Sequence, residues 1–489
     1  MNTLIAAVQS RLGTIKVAPA RATAPSAKFP SPPIPRHEWR NLANWLLAWV
    51  MLANLGYMLM WIIGAPPRHS EILAIGVVGL IVRTQAPWVQ YLAFIGVSLY
   101  SLLSFVAALF NLAIGSLLSG FSFFLELDPS QSIEYVVAGS AVLLLCGTAW
   151  KALHRPTCFT DIRLVMIAGS IIISLSLFDK WMSFGMRGHY KRIAAANAPF
   201  ESARSKSGLL GAAHVNGRNV MVIVVESLGL PNGNPELDRL LFARFKSPEV
   251  KAKFDLSFGS TTYYTSTTAA EIRELCGRWG DYQDLVETKD STCLPAEMVR
   301  RGYETRAYHS FTGDFFDRQY WYPNIGFQYR TFGPELIAKG ADECGGVFPG
   351  ACDRDVPRQL AAQLKAATKP QFVYWLTVNS HLPVPTGSNL NVDRCGQTSP
   401  ALSEKFPMVC RQVGLWSQLD AAIVKEIAAP DFPATDILIV GDHMPPYFDR
   451  NTRSQFAPDR VPFIMLRWKG DTKPVRAAAP QLAVATKPR

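Results

Sequence analysis

The chain has 489 residues, of which 49% are hydrophobic, with a formal net charge of +11 and a mean hydropathy of +0.10. That hydropathy is high for a soluble protein, and a single soluble core of this length would be unusual, so at least two parts are expected. The apolar residues crowd before about residue 181, and the later part has ordinary globular composition.

Residues 1–40 carry six Lys/Arg against one acid, Glu38, and the run Pro30-Ser-Pro-Pro-Ile-Pro35. They read as an uncleaved, flexible basic tail. Their scattered charges, with apolar segments directly after, argue against nucleic-acid binding. Residues 41–181 read as a transmembrane region of about five spans, since about 20 apolar residues cross a bilayer. These are Asn41–Gly64, Glu71–Arg83 (short, extensible to Gln85), Trp88–Leu112, Ile133–Leu153 and Ile162–Trp181. The basic tail and the loop containing Lys151, Arg155 and Arg163 mark the cytoplasmic side, whereas Glu126 and Asp128 mark the outside. Five spans then place everything after Trp181 outside the cell membrane.

Cysteine usage agrees. Cys276, Cys293, Cys344, Cys352, Cys395 and Cys410 all lie in the later part, where an oxidising compartment would let them form three disulfides. Close spacing suggests 276–293, 344–352 and 395–410, among fifteen formal connectivities. No Cys-x-x-Cys occurs to suggest a zinc cluster. Residues 182–216 read as a basic juxtamembrane linker, lying along anionic headgroups or serving as a solvated spacer. Residues 217–469 read as a catalytic domain, and 470–489 as a disordered Pro/Ala/Lys-rich tail.

Within 217–469, Asn219-Val-Met-Val-Ile-Val-Val225 reads as a fully buried strand ending at Glu226-Ser227. Ile437-Leu-Ile-Val440 reads as another, ending at Gly441-Asp442-His443. Gln371–Val378 also reads as strand and Val413–Ala428 as an amphipathic helix, an alternation that predicts a mostly parallel α/β sheet. Ligands of such sheets bind beyond the carboxyl ends of the strands, where Glu226, Asp442 and His443 all fall. Between these strands the Ser/Thr-rich run 259–268 leads into a helix, and Thr268-x-x-Glu271 fits a capping box. Thr267 then sits just outside a helix N-terminus, where backbone N–H groups stabilise anions. Taken singly, Glu226 could cap a turn, the Thr-rich loop could merely cap a helix, and His309, Arg318 or His381 could be structural.

Together, Glu after the first strand, Thr-x-x-Ala-Glu at a helix start and Gly-Asp-His at a late strand resemble the alkaline phosphatase/sulfatase superfamily. The nearest branch resembles lipoteichoic acid synthase and the periplasmic-glucan phosphoglycerol transferases. The resemblance covers about residues 41–465 and implies an alkaline phosphatase-like α/β domain beside five N-terminal spans. It implies that Glu226, Thr267, Asp442 and His443 hold one divalent metal ion (Mn²⁺, Zn²⁺ or Mg²⁺) and that Thr267 is the nucleophile. His309-x5-Phe315-Phe316-Asp317-Arg318 and Asn379-Ser380-His381-x-Pro383 match the branch's head-group and phosphate segments, which makes His309, Arg318 and His381 substrate-binding. Phe316-Asp317 replaces a Trp-Asn pair, which leaves phosphoglycerol or phosphoethanolamine open. Cys293-Leu-Pro-Ala-Glu297 lacks the Arg of a formylglycine motif and lies far downstream of Glu226. The implied activity is transfer of a phospholipid head group, through a phospho-Thr intermediate, to an envelope or secreted glycan. An anchored phosphodiesterase or phosphatase and a non-catalytic envelope scaffold are the rival readings.

Overall fold

The computed structural model describes residues 32–61, 68–109, 114–115, 133–182, 198–211, 217–264, 266–447 and 449–470. The tail 1–31, the loop with Glu126 and Asp128, the linker residues 183–197 and the C-terminal tail lie outside them.

Among the described residues, nine strands lie in the later part: β1 (Asn219–Val225), β2 (Phe254–Thr262), β3 (Glu304–His309), β4 (Tyr329–Thr331), β5 (Glu343–Cys344), β6 (Gly350–Ala351), β7 (Gln371–Leu376), β8 (Thr435–Gly441) and β9 (Arg460–Trp468). Seven form one sheet in the order β2-β9-β8-β1-β7-β3-β4, and β5 pairs with β6 as a separate ribbon. β8, β1, β7, β3 and β4 are mutually parallel, whereas β9 runs antiparallel to both β8 and β2. The mostly parallel α/β domain is therefore as expected.

Every residue of β1, β7 and β8 is buried, because helices cover both faces of the sheet. Met221, Ile223 and Val225 pack with Leu360, Leu364, Val413 and Ile423, from the helices Val356–Ala366 and Pro407–Ala428. Val220, Val222 and Val224 pack on the other side with Ile272, Leu275 and Met298, from Thr267–Cys276 and Leu294–Arg300. Each such side chain contributes about 1.5–3 kcal/mol of transfer free energy. The consequence for function is geometric: four neighbouring parallel strands deliver their carboxyl ends to one edge. The disulfides are Cys276–Cys293, Cys344–Cys352 and Cys395–Cys410, the sequential pairing.

Helices occupy the segments expected to span the membrane: a run from Arg36 to Met60, then His69–Val82, Pro87–Leu109, Ile133–Leu153 and Ile162–Met182. The first is locally wound as a π-helix over Leu47–Leu52. Among the described residues, Pro87–Ala108 and Ile162–Met182 are long and apolar enough to cross a membrane, and His69–Val82 and Gly139–Leu153 are shorter apolar helices. Trp45, Trp49, Phe94, Phe159 and Ile172 form a core among these helices. Gly79 is required there, since a Cβ would lie 2.5 Å from the Trp49 ring; a residue without a side chain lets the two helices approach this closely. Ile81, Leu143 and Leu177 point outward, each more than 60% exposed.

Candidate active site

β1 and β8 are adjacent and paired in register, with Val225 opposite Gly441. The residues that follow them, Glu226 and Asp442, therefore emerge side by side. The chain turns sharply after Glu226 because Ser227 adopts a left-handed conformation, φ 54°. That turn aims the Ser227 N–H at Asp442 Oδ1 (2.7 Å) and the Ser227 hydroxyl at Glu226 Oε1 (2.9 Å). It also explains Gly441, whose Cβ would fall 2.1 Å from the Leu228 carbonyl oxygen. The backbone of Glu226 is fixed by its N–H donating to Thr377 Oγ1 (2.9 Å) and by Ser380 Oγ donating to its carbonyl (2.6 Å).

Thr267 reaches this pair from the start of the helix Thr267–Cys276. Its Oγ1 lies 2.9 Å from Asp442 Oδ2, 3.2 Å from Glu226 Oε2 and 3.4 Å from His443 Nε2. The cap differs from the expected Thr268–Glu271 box. Ser266 is the N-cap, accepting from the Ala269 N–H, and Thr267 is the first helical residue. Glu271 is unavailable for capping because it is buried and bonded to Arg318, Tyr322 and Tyr374.

Ligand atoms of Glu226, Asp442 and His443 all lie within 4.8 Å of one another. His443 donates Nδ1–H to the Met444 carbonyl (2.9 Å), which leaves Nε2 facing both carboxylates. Burial raises the pKa of Glu226, and it raises that of Asp442 to about 6 with help from the Glu226 charge. Burial would lower His443, but the two carboxylates outweigh it and its pKa is raised. Two buried like charges this close call for a cation between them. Carboxylates, imidazole and a hydroxyl suit Mn²⁺, Zn²⁺ or Mg²⁺. The residues present fit one divalent ion.

The three expected substrate residues come to the same edge of the sheet. His309 ends β3 opposite Leu376, and its Nδ1–H donates to the Leu376 carbonyl (3.2 Å). Burial, and then the Arg318 charge, hold its pKa well below the ordinary value, so the ring is neutral. Its Nε2 is a buried acceptor that meets no hydrogen-bond partner among the described residues. His381 donates Nδ1–H to the Leu382 carbonyl (2.6 Å) and packs on the Phe348 ring; burial and the His443 charge lower its pKa to about 4. Arg318 is fully buried, with Nε (3.0 Å) and Nη2 (2.7 Å) on Glu271 Oε2 and Nη1 on the Phe315 carbonyl (2.8 Å). Those bonds use three of its five N–H groups, and its charge is close enough to favour ionised Glu226.

Sequence reasoning missed Arg273, Glu274 and Asp353. Arg273, 1% exposed, donates to the carbonyls of Gly441 (3.0 Å) and Asp442 (3.4 Å), and so holds the end of β8 from which Asp442 and His443 emerge. Asp353 accepts the N–H groups of Val378 (3.1 Å) and Asn379 (2.7 Å) and orders the turn that carries His381; burial raises its pKa to about 6. Charged residues on every side of the short helix after Thr267 were the available signal for Arg273 and Glu274. Asp353 offered none.

A hydroxyl held among metal-type donors at the carboxyl edge of a parallel sheet defines an alkaline phosphatase-like centre. Residues 218–484, more than half of the chain, match the family model described as Sulfatase, and the chain belongs to that family. Solved structures similar to it include the lipoteichoic acid synthase LtaP from Listeria monocytogenes (16% identity over 56% of this chain and 72% of that one, TM-score 0.40). Two more are the phosphoglycerol transferase GacH of Streptococcus pyogenes with sn-glycerol-1-phosphate (14%, 54% and 73%, 0.36) and the periplasmic domain of EptC from Escherichia coli (14%, 53% and 74%, 0.36). No curated protein matches. The assignment rests on the family match and the site.

Proposed function

We propose that the chain is a membrane-anchored transferase that moves a phospholipid head group onto an envelope or secreted glycan through phosphorylated Thr267. The observation that carries this reading is the Thr267 hydroxyl, buried within 3.5 Å of Glu226, Asp442 and His443. A divalent ion held by these four residues would lower the hydroxyl pKa and offset charge on the phosphoryl group.

Thr267 Oγ1 attacks the phosphorus in line; the new O–P bond forms as the bond to the diacylglycerol oxygen breaks. The hydroxyl proton lies toward Asp442 Oδ2, and diacylglycerol leaves carrying one proton. The first turn of the helix, with its N–H dipoles, stabilises the developing anion at Oγ1. Arg318, with two uncommitted N–H groups, is the donor for the non-bridging oxygens. His309 is neutral and presents an acceptor, so it suits a hydroxyl or amine of the head group better than its phosphate; His381, also neutral, would line the head-group site. An acceptor hydroxyl then attacks the phosphorus; its new O–P bond forms as the Thr267 O–P bond breaks, and the acceptor's proton returns to Thr267 Oγ1. Five spans with the N-terminus inside would place this domain outside the cytoplasm, where its three disulfides persist and both donor and leaving group lie in the adjacent leaflet.

The test is peptide mass analysis after incubating the full chain with Mn²⁺ and vesicles of phosphatidylglycerol or phosphatidylethanolamine. The expected result is a phosphoglycerol or phosphoethanolamine adduct on Thr267, absent in Thr267→Ala. Diacylglycerol release without a modified glycan would assign hydrolysis instead, and full cellular activity of Thr267→Ala would leave the scaffold.

A further inference from the structure

Residues 198–211, expected as part of a free linker, are built into the catalytic domain. Ser202, Ala203 and Leu209 are fully buried. Glu201 Oε1 accepts the N–H (2.7 Å) and hydroxyl (2.5 Å) of Thr262, the last residue of β2, and pairs with Arg460 (3.1 Å). Arg467 donates to the carbonyls of Gly208 (2.7 Å) and Leu209 (2.9 Å). Phe200 packs edge-on against Trp279, which also packs against Tyr264, three residues before Thr267.

The decisive contact is Glu274, 1% exposed on the helix that begins at Thr267. Its Oε2 accepts the Arg204 N–H (2.8 Å), and its Oε1 accepts both the Ala203 N–H (3.0 Å) and Arg273 Nε (2.7 Å). Arg273 in turn holds the carbonyls of Thr262, Gly441 and Asp442. One buried carboxylate thus joins the segment 198–211 to the arginine that fixes the metal-ligand strand. Two of the three donors to Glu274 come from that segment. Without them, a buried charge would keep one donor of three and would draw Arg273 away from its carbonyls.

We propose that residues 198–211 are a strap that sets the reaction centre, and that Glu274 is the positioning residue through which the strap acts. The inference rests on the catalytic reading of the Thr267 site. The strap grips both ends of the nucleophile segment: Thr262 through Glu201, and the Thr267 helix through Glu274. Through Arg273 it also sets Gly441 and Asp442. A displacement near 1 Å at such a centre costs about 10²-fold in rate, so the strap controls competence without touching substrate.

The test compares the full-length wild type with Glu274→Gln and Glu201→Ala, using amide hydrogen exchange without substrate and Mn²⁺ binding by thermal shift. In Glu274→Gln, exchange at 266–269 and 441–444 is expected to rise about tenfold or more, with β1 and β7 unchanged, and the Mn²⁺ midpoint to rise at least about fivefold. Glu201→Ala is expected to raise exchange over 262–269 and to weaken Mn²⁺ binding about threefold. Unchanged exchange at 441–444 and an unchanged Mn²⁺ midpoint in Glu274→Gln would overturn the proposal. Should Glu274→Gln fail to fold, an unaltered Glu201→Ala protein would overturn it equally. Neither readout needs turnover, so absence of an adduct on Thr267 would sink the transferase reading and leave this result interpretable.

Discussion

The buried Glu271–Arg318 pair offers the sharpest separation of stability from chemistry. Both side chains are inaccessible to solvent. Glu271 Oε2 takes two bonds from Arg318, and Oε1 takes the hydroxyls of Tyr322 (2.5 Å) and Tyr374 (3.0 Å). Glu271→Gln strands a buried guanidinium, a loss of about 3–5 kcal/mol. Arg318→Met leaves a carboxylate that keeps two tyrosine donors, which limits the loss to about 2–4 kcal/mol. In the double variant no charge remains. The Gln carbonyl still accepts from the tyrosines, Met fills the stem volume, and only the Phe315 carbonyl loses its donor, costing about 1–2 kcal/mol. The two substitutions should therefore couple by at least about 3 kcal/mol, measured as the shift in urea midpoint by pulse proteolysis. Head-group transfer should not recover with stability, because the Arg318 charge is gone. Additivity within about 0.5 kcal/mol would refute the buried-charge argument. A stable double variant with restored transfer would refute the phosphate-binding role of Arg318.

Three further outcomes follow from the same geometry. Gly441→Ala must displace the Ser227–Leu228 turn, because its Cβ would meet the Leu228 carbonyl at 2.1 Å; transfer should fall at least about 100-fold, with the circular dichroism spectrum retained. In metal-free protein, Asp442 titrates near 6 and Glu226 is also raised, so the folded state binds extra protons above the unfolded carboxylate range and stability falls as pH rises through about 4–6. The raised His443 pKa adds stability below about 6.5 that is lost at higher pH. Melting temperature without metal should therefore fall from pH 5 to pH 8, and Mn²⁺ should stabilise more at pH 8 than at pH 5; the reverse order would refute the cluster as a cation site. Replacing both Cys276 and Cys293 by Ser opens a loop with a sequence separation of 17, which should cost about 3 kcal/mol in the same proteolysis assay.

What could be read from sequence, and what could not, divides along the length scale of the interactions. Strands β1 and β8 were legible because their burial is written in consecutive apolar residues, and so their ends pointed to Glu226, Asp442 and His443. The sequential disulfides were legible from close spacing. The helix after Thr267 was legible as a helix, but its cap and the partners of its charged residues were not, because periodicity cannot tell a solvated polar face from a buried charged one. Glu271, Arg273 and Glu274 look like exposed charges on a ten-residue helix, yet each is at most 1% exposed. Their partners lie 47 residues away at Arg318, 168 at Gly441 and 71 at Ala203, beyond any local pattern. Burying three charges on one short helix is costly unless each meets a fixed counterpart. Those counterparts are the strap, the end of β8 and the arginine expected at the phosphate. The helix that presents Thr267 is therefore tied by charge to the other parts of the centre, and its buried charged residues are what align it.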